Sequence, residues 1–230
     1  VAKQIFLLLL LSGLFVVFAF VLVDLEEWYN AAGRIYFQTN AYLETGSRNL
    51  VTAIYLDYRL FDSLFEAGIL LIAVAGIIWI SKHDLSEKNA QFMLDRYKTP
   101  DLFVTFSRIV YPLMLVFGFY VIINGHLSPG GGFQGGAIVA TAILILYYID
   151  NDRETNIKRI VTIEKLVFFA ILAIALSSFL TRGVPFTNPV PIDAGVQLQS
   201  IYLVVLNVLI GFKVALGLWT IFTAFLREGR

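Results

Sequence analysis

Six apolar runs, at residues 5–23, 60–80, 103–124, 133–149, 160–180 and 201–225, constrain this 230-residue chain more than any other feature. A helix needs about 20 residues to cross the hydrocarbon of a bilayer, and runs of about 17–25 qualify. Inside lipid the backbone must satisfy its own N–H and C=O groups, which a helix does by itself. The sequence therefore predicts an all-α integral membrane protein with six transmembrane helices. Composition agrees: the chain is 58% hydrophobic and 15% charged, against roughly 45–50% and 25% in soluble domains. The run at 5–23 is longer than the roughly 7–15 residues of a secretory signal, and Asp24-Leu25-Glu26-Glu27 offers no small-residue cleavage site; it is read as a retained helix.

Basic residues set the topology. The flanks at 1–4, 81–102, 150–159 and 226–230 carry 10 Lys and Arg, and the alternate flanks at 24–59, 125–132 and 181–200 carry 4. This bias predicts that both termini are cytoplasmic. Net charge is zero, so there is no basic footprint for nucleic acid. Cysteine is absent, which excludes disulfides and thiolate metal sites. There is also no nucleotide loop and no nucleophile–base pair, so the expectation is a transport subunit that transforms no substrate and carries no metal or cofactor.

The chain divides into a two-helix part, 1–88, and a four-helix part, 89–230, joined by the polar stretch Lys82-His83-Asp84-Leu85-Ser86-Glu87-Lys88-Asn89. In the long loop between the first two spans, residues 49–58 predict a short interfacial helix with a cap from Thr45-Gly46-Ser47. Trp28, Tyr29, Tyr36, Tyr42, Tyr55 and Tyr58 read as aromatic anchors at the membrane–water boundary.

Charges inside the spans are the candidate functional residues, because an uncompensated charge there costs about 2.5–3.5 kcal/mol or more. Arg59, Asp62 and Glu66 open the second span within about 60° of one another, and the same stripe continues through Ala73 and Gly76. Glu66 falls about 9 Å inside the boundary, a depth typical of acids on ion or proton paths. Lys213 stands twelve residues from either end of 201–225, too deep for easy snorkelling. Gly217, Thr220 and Ala224 share its face, so it should meet a protein neighbour and act as a buried partner or relay. Depth alone allows Glu66 as that partner. Glu164 lies one turn inside the fifth span and reads as a boundary charge. Asn207 and Gly211 occupy a different stripe, suited to an interhelical hydrogen bond and close helix contact.

The turn between the third and fourth spans reads Gly125-His126-Leu127-Ser128-Pro129-Gly130-Gly131-Gly132-Phe133-Gln134-Gly135-Gly136. Pro129 stops the preceding helix, and Gly130, Gly131 and Gly132 free the backbone. Gly135 and Gly136 permit a neighbouring backbone to come close. Two readings stay open: a plug packed against another subunit with His126 satisfied by backbone, or a hydrated outer vestibule in which His126 handles protons.

This glycine motif resembles the signature of the B subunit of Mrp-type multisubunit Na⁺/H⁺ antiporters, and Asn207-Val208-Leu209-Ile210-Gly211-Phe212-Lys213 resembles the last helix of that subunit. Thr45-Gly46-Ser47-Arg48-Asn49, with Asp57-Tyr58-Arg59-Leu60-Phe61-Asp62-Ser63-Leu64-Phe65-Glu66, resembles the C-terminal part of the large A subunit. Related pieces occur in archaeal membrane-bound hydrogenase and sulfane reductase complexes. The resemblance implies a multi-pass subunit in a prokaryotic cell membrane, bound to lipid, to other antiporter subunits and to hydrogenase-like or sulfane-reductase-like partners. It would line or seal part of a Na⁺ or H⁺ route. Glu66 falls on the A subunit's path carboxylate, with Asp62, Lys213 and supporting Arg59, Asp57, His126, Glu164 and Asn207 around it. The A subunit's proton-pumping helices are not among these 230 residues. The alternative is a structural adaptor that docks the antiporter module to another membrane arm; a stand-alone channel is a third class.

Overall fold

The structure is a computed structural model that describes residues 2–28, 31–83, 100–149 and 156–228. Helices α1 (Ala2–Trp28), α2 (Ala31–Thr45), α3 (Leu50–Ala53), α4 (Leu60–His83), α5 (Asp101–Ile123), α6 (Gly132–Ile149), α7 (Ile157–Arg182) and α8 (Val196–Glu228) account for almost all of them. A π-helical turn, Ile54–Tyr58, follows α3, and a 3₁₀ turn, Ile192–Ala194, precedes α8. No strand occurs among the described residues.

All six predicted apolar runs are helical. Four helical stretches are long and apolar enough to cross a membrane: Leu60–Ser81, Asp101–Ile123, Ile157–Arg182 and Val196–Phe225. Phe6–Phe20 and Gly132–Tyr147 are shorter apolar helical stretches.

The chain forms two compact units, residues 1–39 and 40–230. The first holds α1 and the start of α2, and α1 is exposed apolar surface along most of its length, from Phe6 to Phe20. In the second unit α8 is the axis: α4, α5, α6 and α7 all pack on it. Its apolar window is 56% buried, against 22% in each of the other three long spans, so α8 is the most enclosed of the four. Leu203, Leu206, Ile210 and Val214 of α8 form one core with Leu56, Leu60 and Leu64 before and within α4 and with Ile171 and Ala175 of α7. Small residues let the axis sit close. A Cβ on Gly136 of α6 would stand 2.6 Å from the Gly211 carbonyl oxygen of α8, and one on Gly132 would stand 2.6 Å from the Asn207 carbonyl oxygen. Backbone meets backbone there, which gains dispersion contacts that larger residues would forbid.

The loop before α4 is more ordered than its polarity suggests. Helix α2 was not anticipated, because its residues carry no long apolar run. The short helix at 49–58 is present as α3 plus the π turn, but its cap is Asn49, whose side chain accepts from Val51 N–H at 3.1 Å. The predicted capping residues Thr45 and Ser47 are instead buried one turn earlier. Residues 84–89 of the polar junction, Tyr29 and the side chain of Trp28 lie outside the described residues.

Candidate functional site

Lys213 of α8 is fully buried, and its Nζ lies 3.1 Å from Oε1 of Glu164 on α7, which is also fully buried. This overturns two expectations. Glu164 is not a boundary charge, and the partner of Lys213 is not Glu66, although α4 and α8 do pack together. Gly217 makes the approach of α7 possible: a Cβ there would stand 3.0 Å from Glu164 Oε1 and 3.3 Å from Leu70 of α4. Neither carboxylate oxygen and no ammonium proton finds a hydrogen bond elsewhere in the described residues. The predicted face of Lys213 is confirmed, with Gly217, Thr220 and Ala224 all buried.

The acidic stripe of α4 points away from the other helices of residues 40–230. Arg59 and Asp62 form an exposed ion pair, with Asp62 at 55% exposure. Glu66, Ala73 and Gly76 are exposed on the same side, and a Cβ on Gly76 would meet nothing within 4 Å. Within residues 40–230 no helix lies against the small residues expected to permit helix contact.

The hairpin is packed, and its neighbour is this same chain. The His126 carbonyl accepts from the backbone N–H of Arg48 at 2.9 Å and of Asn49 at 3.1 Å, and from Ser47 Oγ at 2.9 Å. Asn49 Nδ2 donates to the carbonyls of Gly125 and Ser128 at 2.8 and 2.9 Å, and Thr52 Oγ1 donates to Gly125 at 2.6 Å. The half-buried His126 ring places Nδ1 3.2 Å from the Ile123 carbonyl, so backbone engages it. Gly130 and Gly131 have φ of +154° and +146°, a region that side chains disfavour. Helix α5 ends at Ile123, so Pro129 lies beyond its stop, on the exposed tip.

Asn207 ties the hairpin to the bundle. Its Oδ1 accepts from the Tyr55 hydroxyl at 2.7 Å and from Gly132 N–H at 2.8 Å, the first orphan donor of α6. Asn207 makes the interhelical hydrogen bond its position suggested, while Tyr55, read as an aromatic anchor, is a half-buried hydrogen-bond donor. Sequence reasoning missed Tyr55 because its partner is 152 residues away.

Asp57 is the other buried carboxylate among the described residues, at 7% exposure in the π turn. Its Oδ1 accepts from Asn188 N–H at 2.9 Å. Burial pushes its carboxyl up to about 6, against the opposing pull of the Asn188 hydrogen bond and the charge of Arg182. Asn188 continues the lattice by donating to the Gln199 carbonyl at 3.2 Å. Among the described residues no group of three His, Asp or Glu is placed to hold a metal ion.

Comparisons with known proteins fit this geometry. The chain is 37% identical over 100 residues to antiporter subunit mnhB2 of Staphylococcus saprophyticus, covering 41% of this chain and 67% of that protein. It is 38% identical over 84 residues to the mnhB2 subunit of Staphylococcus aureus strain Newman, covering 35% and 55%. An uncharacterised protein of Methanocaldococcus jannaschii is 33% identical over 111 residues, 42% of each chain. The chain thus spans between two fifths and two thirds of these relatives. Among solved structures, a chain of the membrane-bound sulfane sulfur reductase, an archaeal respiratory membrane complex, superposes with a TM-score of 0.72 at 26% identity, covering 98% of this chain and 99% of that one. A chain of the Mrp complex from Dietzia sp. DQ12-45-1b shares the fold, with a TM-score of 0.56 at 23% identity over 90% of this chain and 26% of that one. Residues 102–220 match the family described as a domain related to the MnhB subunit of Na⁺/H⁺ antiporter, and the chain belongs to that family.

Proposed function

We propose that this chain is a membrane subunit of an Mrp-like cation/proton antiporter module within a larger respiratory complex of a prokaryotic cell membrane, and that it lines part of the translocation path. Six helices cross the membrane, residues 1 and 230 face the cytoplasm and the glycine hairpin faces outward; the Lys and Arg bias supports this orientation. The hairpin seals an outer turn against residues 47–55 of the same chain. Residues 1–88 and 89–230 derive from two pieces, one like the tail of the antiporter's A subunit and one like its B subunit. The partners are other Mrp-like subunits and reductase-like or hydrogenase-like subunits, and the cargo is Na⁺ or H⁺.

The observation that carries the path-lining role is Glu66 on an exposed face of a membrane-spanning helix, with Asp62 one turn away. Lipid would leave such a carboxylate at a cost of about 2.5 kcal/mol or more. Another subunit that completes the pocket removes that cost and creates a cation-facing site. Glu66→Gln keeps size and polarity while it deletes the charge. The expected outcome is an assembled complex whose Na⁺-dependent proton transport in everted vesicles is lost. Assembly with full transport would favour the adaptor role, and failure to assemble would show that Glu66 only docks a neighbour.

A further inference from the structure

The Lys213–Glu164 pair is the group for which packing gives the poorest account. A buried ion pair is stabilising only when further hydrogen bonds satisfy the remaining protons and lone pairs. Here both side chains are fully buried, and the single 3.1 Å approach is their one polar contact among the described residues. Another charge acting on Glu164 is that of Lys165, which is exposed beside it on α7. The bare backbone of Gly217 lies against Glu164, and Leu70 of α4 lies beside that glycine. Ions held this way are poorly solvated, whereas an amine facing a carboxylic acid across the same distance carries no net charge into the low dielectric.

We propose that Lys213 and Glu164 form a proton-exchange site within the membrane and a second element of the transport route, distinct from the acidic face of α4. In the exchange one Nζ–H bond of Lys213 breaks and an Oε1–H bond of Glu164 forms, so an ammonium and a carboxylate become a neutral amine and a neutral acid. Nothing is oxidised or reduced. Net passage follows when Glu164 releases its proton to water on one side, forming hydronium, and a hydronium from the other side reprotonates Lys213, leaving water. Glu164 is seven residues from the start of α7, about 10 Å from that end of the helix. Thr220 lies on the face of Lys213 two turns along α8; its hydroxyl is buried and donates to the Leu216 carbonyl at 2.8 Å, which leaves its oxygen free to accept from a water chain. The position of the pair, its lack of other partners among the described residues and this hydroxyl together describe a relay.

The proposal rests on the reading that the chain lines a translocation path, and one substitution separates it from a structural brace. Lys213→Arg keeps the positive charge, but arginine does not give up its proton in proteins. In the full complex, Lys213→Arg should assemble yet lose Na⁺-linked proton transport in everted vesicles. Lys213→Met combined with Glu164→Leu should also assemble and be inactive, which guards against misfit of the larger guanidinium. Infrared difference spectra of the wild-type complex should show a protonated carboxylic C=O band that disappears in Glu164→Gln. Wild-type transport in either Lys213→Arg or the double variant, or absence of any Glu164-dependent acid band over the pH range of transport, would overturn the proposal. If Glu66→Gln is inactive while Lys213→Arg is active, the path-lining role stands and only the relay fails.

Discussion

Deleting one half of the Lys213–Glu164 pair should be far more damaging than deleting both. In the charge-separated form of the pair, at 3.1 Å and an effective dielectric of about 20, two unit charges attract by roughly 5 kcal/mol. That attraction is offset by the loss of hydration on both sides, so the pair as a whole contributes little net stability. A single substitution removes the attraction and leaves the desolvation of the remaining charge. Lys213→Met strands Glu164 between Gly217 and Leu70, and Glu164→Leu strands Lys213 in the same space; each should destabilise by about 3–5 kcal/mol. Lys213→Met with Glu164→Leu removes both charges at similar volume and should be within about 1 kcal/mol of wild type, or more stable by up to about 4 kcal/mol. The assay is thermal unfolding of the four proteins in one detergent, followed by circular dichroism and by loss of the monodisperse gel-filtration peak. The cycle should give a coupling energy of several kcal/mol. Additive single effects, with the double variant the least stable of the four, would refute the premise that these two groups compensate each other.

Two further outcomes follow from the residues around the hairpin. The carboxyl of Asp57 titrates near 6 in the folded chain and at an ordinary 3.8 when unfolded, so its neutral form is the one the fold favours. Its contribution is fully present below about pH 4 and is lost as pH rises through 6, a difference of at most about 3 kcal/mol. Asp57→Asn can still accept from Asn188, so it should melt higher than wild type at pH 8 and equally at pH 4; a variant less stable at pH 8 would contradict this. Asn207→Leu removes the acceptor for the Tyr55 hydroxyl and for Gly132 N–H. Two buried donors left unpaired should cost about 2–5 kcal/mol in the same melts, and a loss under about 0.5 kcal/mol would show that neither bond matters.

The helices of the bundle were legible because each rests on an apolar run whose length has one natural solution in lipid. Helix α2 was not, nor was the π form of the turn at 54–58, because contacts such as Tyr58 to Glu44, at 2.5 Å, are announced by no local pattern. Lys213 stood out by depth alone. Its partner did not, because a sequence gives depth along a span but not direction around the helix axis. Glu66 and Glu164 both lie within reach in depth; rotation turns Glu66 outward and Glu164 into the seam between α7 and α8. The glycine motif announced close packing, yet its clamp, Ser47, Asn49 and Thr52, lies more than 70 residues upstream and acts on carbonyls that every residue carries. Backbone recognition of this kind leaves no trace in side-chain chemistry at the recognised end.

The central claim is that the acidic, small-residue face of α4 is completed by another subunit and not by lipid. A photo-reactive amino acid in place of Ala73, on that face and clear of Glu66, tests this directly in intact membranes. The account predicts one discrete crosslinked product containing a second membrane subunit, with yield that collapses when the complex is dissociated before irradiation. Labelling of lipid alone, at the level given by a lipid-facing control position such as Leu180, would contradict it.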